Sequence, residues 1–187
     1  MLIHPLMKGK KGQQKNRFQS ASVAAELPIV LWLLFCGLMI PLVIMASFSI
    51  RYSFLVAASR DAAFAAARCR TFETNVSSTE QSATNTAKTV AQTTAQQFRE
   101  VSVKSVNTNI IITKLSDGSV SKQSRALAQP ANTSTYAYQV EVIVNGQTQP
   151  ILILSDLRLQ NIPGLTAPIA VSVCSREFFE NPQGLNQ

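Results

Sequence analysis

The sequence predicts an α+β protein: a long N-terminal transmembrane helix continues into an outer domain with a second helix and a small, mostly antiparallel sheet. Three observations carry that expectation. Leu27 to Ile50 is an unbroken run of 24 residues without a charge. An alanine-rich, helix-favouring stretch follows it directly, RYSFLVAASRDAAFAAARCR over Arg51–Arg70. Beyond Phe98 the apolar period shortens from helical spacing to alternation.

The apolar run sets the class. As a helix rising 1.5 Å per residue it is ~36 Å long, enough to cross a hydrocarbon core of about 30 Å. It lacks the polar stripe of a soluble core helix. A helix is the form that satisfies its own backbone in lipid. Pro28 falls near its start, where a missing N–H matters least, and Pro41 falls mid-span, where a bend is expected. The run exceeds the 7–15 apolar residues of a cleaved secretory signal, so it reads as a retained anchor. Residues 1–21 hold Lys8, Lys10, Lys11, Lys15 and Arg17 and no acid, which is +5 of the formal +7. The positive-inside rule therefore keeps the N-terminus in the cytoplasm, with anionic lipid as a natural contact, and sends the C-terminal part across the cytoplasmic (inner) membrane. The expected organisation is a basic leader over 1–21, the spanning and projecting helix over 22–70 and an extracytoplasmic domain over 71–187.

From Ser22 to Arg70 the helix would measure ~73 Å, so part of it must project, as a filament-packing half or as a plain stalk. Residues 74–97 read either as a polar linker or as a second helix. Ala83, Ala87, Val90, Ala91, Ala95 and Phe98 recur at helical spacing and favour the helix. Val101, Val103 and Ile110–Ile112 read as strand, Ser116-Asp117-Gly118 as a turn and Gln123–Thr135 as loop. Tyr136, Tyr138, Val140, Val142 and Val144 alternate strictly; Asn145-Gly146 then predicts a hairpin returning through Ile151–Leu154. Ile169, Val171 and Val173 form a last strand, and Phe178-Phe179 reads as a docking patch or as the tucked end of the sheet.

No catalytic constellation is present. The one histidine is His4, in the leader, which removes His-based nucleophilic catalysis and most zinc sites from the outer part. No glycine-rich phosphate loop and no basic patch interleaved with aromatics occurs. The expectation is no enzyme, no cofactor, no metal, no nucleic acid and no small-molecule substrate. Cys36 lies in the run as an apolar residue. Cys69 and Cys174 both fall on the oxidising side, as a disulfide closing a loop of about 105 residues or as two unpaired buried thiols.

Glu26 stands at the mouth of the run. On its own it reads as an acid at a helix N-terminus, complementing the dipole, with Ser22 as the cap. Its setting resembles a known pattern: a basic leader, small residues Ser20-Ala21-Ser22, an acid, a long apolar helix and an alanine-rich continuation. That order resembles the class III signal of type IV pilin-like proteins, most closely the TadE-like minor pilins of tight-adherence (Flp/Tad) pilus systems. The segment Ile162–Glu180, with its Pro163-Gly164 turn, is similar to the last strand of that family. The resemblance covers both ends of the chain, while residues 74–160 agree only in general character. Ala21 stands where the family usually has Gly, and Leu27 where it has an aromatic.

The resemblance implies cleavage by a prepilin peptidase between Ala21 and Ser22, leaving 187 − 21 = 166 residues. It implies an assembly role for Glu26, partnered by the new amine at Ser22 of an adjoining subunit. The partners would be other pilins and Tad assembly proteins, and the function assembly of an adhesive pilus. The alternative is an unprocessed signal-anchored envelope protein whose outer domain binds or scaffolds a partner complex.

Overall fold

The computed structural model describes residues 13–77, 80–98, 100–150, 163 and 166–187, with 13–26 described by backbone alone. The chain divides into two units, Met1–Val43 and Ile44–Gln187. Helix α1 (Gln13–Ala67) runs through both and is continuous at Pro28 and Pro41. It starts upstream of the expected boundary, so Ala21, Ser22 and Glu26 lie inside helical backbone and Ser22 is not an N-cap. The helix closes near the expected end, with Arg68 N donating to Ala65 O and Cys69 N to Ala66 O, the tighter spacing common in a last turn.

The unit from Ile44 has α+β architecture and takes in the C-terminal part of α1 as well as residues 71–187. Within it, α1 buries Leu55, Ala58, Ser59, Ala62, Ala63, Ala66 and Ala67, a stripe at alternating steps of three and one. Helix α2 (Ala83–Gln96) is shorter than the expected 74–97. Ser82 caps it, its side chain accepting from Asn85 N, and the Asn75 side chain accepts from Ser82 N at 2.8 Å. That cap holds the preceding polar residues out of the helix. Ala83, Ala87, Ala91 and Ala95 form its buried face, which packs on the sheet.

Strands β1 (Val101–Lys114), β2 (Val120–Gln123), β3 (Tyr136–Thr148) and β4 (Ile169–Phe178) form one antiparallel sheet in the order β2-β1-β3-β4. Ile110, Val140, Val142, Val144 and Val173 project from one face into the helix-covered core. Asp117 accepts from Ser119 N at 3.0 Å, and Gly118 takes φ +70°, turning β1 into β2 where a turn was expected. Strand β2 was not anticipated: all four of its residues are exposed, so it carries no alternating signature.

One expectation is corrected outright. Asn145-Gly146 is not a hairpin; β3 runs straight through it, pairing Asn145 with Ser105 and Gly146 with Val103. The expected return strand at Ile151–Leu154 lies outside the described residues, and β4 is the strand that pairs with β3 on its other side. Gly146 answers a tertiary need. A Cβ there would stand 2.6 Å from Leu55 Cδ2 and 3.2 Å from Ser102 O. The absent side chain lets Leu55 seat against β3, and nearby Ser59 Oγ donates to Val142 O at 3.2 Å. Gly146→Ala is therefore expected to cost about 1–3 kcal/mol by overpacking, read as a lower denaturation midpoint. Adding Leu55→Ala should make the pair of changes less than additive, since each relieves the other.

After β4 the two phenylalanines part. Phe178 is exposed, while Phe179 is buried edge-on to Phe72, with ring centroids 6.5 Å apart. The chain then folds back over the end of α1, with Glu180 N donating to Ala67 O at 3.0 Å. Leu185 is fully buried, its carbonyl accepting from Leu127 N at 2.7 Å, and Gln187 O accepts from both Phe72 N and Glu73 N at 2.9 Å.

Candidate functional site

Helix α1 is the one helix among the described residues long and apolar enough to cross a membrane. From Leu27 to Ile50 most of its large side chains are exposed, Trp32, Leu33, Leu34 and Phe35 at 60% or more. A soluble fold does not leave such a run uncovered, because each such side chain gains about 1.5–3 kcal/mol on leaving water. The serines near its end satisfy themselves within the helix: Ser49 Oγ donates to Met45 O at 2.8 Å and Ser53 Oγ to Ser49 O at 2.9 Å.

Arg51 is the first charge after the run, and it is not free. Its guanidinium is nearly buried; Nε donates to Glu100 Oε2 at 2.7 Å and Nη1 to Gln149 O. Gln149 N donates in turn to Glu100 O at 2.9 Å. One helix residue thus ties together the start of β1 and the end of β3. Phe54 stacks on Phe98 beside it, centroids 3.6 Å apart. Neither Arg51 nor Glu100 is among the candidate residues that the sequence singles out. The available signal was a lone cation closing a long uncharged helix.

The sheet face away from the helices carries a second polar cluster that sequence reasoning missed. Glu141, with its side chain 3% exposed, lies between Lys122 of β2 and Arg176 of β4. Arg176 Nη2 donates to Glu141 Oε1 at 2.7 Å and Asn109 Nδ2 to Oε2 at 3.3 Å. Burial works against the ionised carboxyl, but the hydrogen bonds and charges of Lys122 and Arg176 prevail and hold Glu141 below the ordinary carboxylate range. Alternation with Val140 and Val142 was the available signal, since it puts an acid on the opposite face.

The structure does not join Cys69 to Cys174; both are free thiols. Cys69 sits on the core side, its thiol donating to Thr86 Oγ1 at 3.3 Å. Val173 points into the core, so its neighbour Cys174 points the other way, beside Glu141. Burial raises both thiols above their usual range; the Thr86 hydrogen bond opposes this at Cys69, and the charge of Glu141 reinforces it at Cys174. The side chains of Ala21, Ser22 and Glu26 lie outside the described part. Among the described residues no three His, Cys, Asp or Glu side chains gather as metal ligands. Compared with protein-family models, with characterised proteins and with solved structures, the chain has no match.

Proposed function

We propose that the chain is a membrane-anchored minor pilin or pseudopilin of the TadE-like kind, a part in the assembly of a Tad-type adhesive pilus with no catalysis of its own. The observation that supports this most is the two-part character of α1. From Leu27 to Ile50 it exposes uncharged, mostly apolar side chains, and from Leu55 to Ala67 it buries a mainly alanine stripe against the domain core. A subunit built this way waits in the membrane and later exchanges lipid for neighbouring helices. The lysine-rich end stays in the cytoplasm and the folded domain on the other side of the inner membrane.

Glu26 gives cleavage a physical purpose. A carboxylate among apolar helices is costly unless paired. Cutting before Ser22 creates an amine, and that amine on an adjoining subunit compensates the acid. Glu26→Ala is therefore expected to insert normally and to assemble poorly. N-terminal sequencing of the membrane-purified protein should begin at Ser22. Ala21, where the family has Gly, favours a second reading, an unprocessed signal-anchored envelope protein scaffolding a partner complex. A start at Met1 with full assembly of the Glu26→Ala protein would establish that one instead.

A further inference from the structure

The Arg51–Glu100 pair lines a cleft of about 380 Å³ that lies wholly within the α+β unit. Its walls are of two kinds. Ile50, Phe54 and Phe98 supply an apolar side, and Arg51, Glu100 and Ser47 a polar one. This volume is within the usual range of small-ligand sites, ~300–1,000 Å³. Its place along α1 is specific: Arg51 immediately follows 24 uncharged residues, so a helix that spans the bilayer carries this turn at the depth of the headgroups.

We infer that this cleft holds one phospholipid bearing a primary ammonium, of the phosphatidylethanolamine class. The inference rests on the membrane-anchor reading of α1 and adds a ligand to it. The charge pattern selects the headgroup. The Arg51 guanidinium places Nε and Nη2 on Glu100 Oε2 and Nη1 on Gln149 O, which leaves one N–H on each terminal nitrogen for a phosphate. The Glu100 side chain is 63% exposed and matches an ammonium. An anionic headgroup without a cation would meet Glu100 unfavourably. A quaternary ammonium has no N–H to donate to it. The stacked Phe54 and Phe98 rings and Ile50 give the start of an acyl chain an apolar wall within the same cleft.

The test floats the full-length protein with vesicles of equal parts phosphatidylethanolamine, phosphatidylcholine and phosphatidylglycerol. Native mass spectrometry then identifies the lipid retained on extraction. One retained phosphatidylethanolamine is expected, at about tenfold preference, the scale of one charge-assisted contact. Glu100→Gln keeps the side-chain shape at a 63%-exposed position; provided its denaturation midpoint shows it folded, it should abolish that preference and shift retention towards phosphatidylglycerol. Equal retention of the three lipids, or an unchanged preference in Glu100→Gln, overturns the inference while the anchor reading stands. A protein that fails to float with the vesicles overturns the anchor reading, and this inference with it.

Discussion

Gly184→Ala is expected to be the most destabilising single methyl addition in the domain. A Cβ at Gly184 would lie 1.4 Å from Arg70 O and 2.6 Å from Arg70 C. Both atoms are backbone, so no side chain can swing aside. Either the short 3₁₀ turn Pro182–Gly184 lifts away or the chain after α1 shifts. Lifting the turn withdraws Leu185 from the core, a loss of about 2–5 kcal/mol by analogy with truncating a buried leucine. It also frees Phe72 N, Glu73 N and Leu127 N, whose hydrogen bonds contribute about 1 kcal/mol each. A net loss of about 3 kcal/mol or more should appear as a lower denaturation midpoint in detergent. The same three amides should exchange hydrogen fastest relative to wild type. Gly37→Ala is the matched control: its added methyl meets nothing within 4 Å, so the midpoint should hold or rise. Equal midpoints for Gly184→Ala and Gly37→Ala would show that the tail does not seat on Arg70.

Stripping the cations from Glu141 is expected to have the next largest effect. Lys122 and Arg176 are each about half exposed, so either returns readily to water once unpaired. Glu141 has no such exit. Lys122→Ala with Arg176→Ala leaves a buried carboxylate served by Asn109 and the Cys174 thiol, neither of them a cation. The cost should be about 2–4 kcal/mol, discounted from a fully buried pair because the partners are solvated. Glu141→Gln should cost less, since it removes the buried charge itself. The pH dependence follows from the depressed carboxyl. Above the unfolded carboxylate range, about pH 4.3, the ion pairs contribute their full stability. That contribution falls away as pH drops from there through the lower folded value, because the folded state must then give up the pairs to bind a proton. Denaturation midpoints measured from pH 7 downwards should fall in wild type and fall less in Glu141→Gln. Parallel profiles for the two would remove Glu141 from the account of acid stability.

Some of this structure was legible from neighbours in the sequence. Leu27–Ile50 announces itself by having no charge, which needs no knowledge of what lies nearby. The alanine spacing in α2 and the alternation Tyr136–Val144 report a buried face, because period alone decides which side chains share a side. The misreadings also have a physical pattern. Asn145-Gly146 has ideal hairpin chemistry, yet local preference for a turn is worth little against pairing on both sides with β1 and β4. Strand β2 pairs in the sheet with β1, and its Lys122 reaches Glu141 of β3. Ser82 looked like the middle of a polar helix until Asn75 bonded its amide.

Consecutive residues alone specify the apolar, membrane-length helix, the α+β class and the inward faces of α2, β3 and β4. These depend on composition and periodicity, which are properties of consecutive residues. Only the tertiary structure decided that Gly146 and Gly184 are sites of close approach, that Cys69 and Cys174 occupy different faces, and that Arg51 and Glu141 are nearly buried ions with named partners. Each of those depends on atoms far apart along the chain, 49 residues for Arg51 with Glu100 and 35 for Glu141 with Arg176. Such distances are set by how the sheet and helices pack, and no stretch of consecutive residues encodes them.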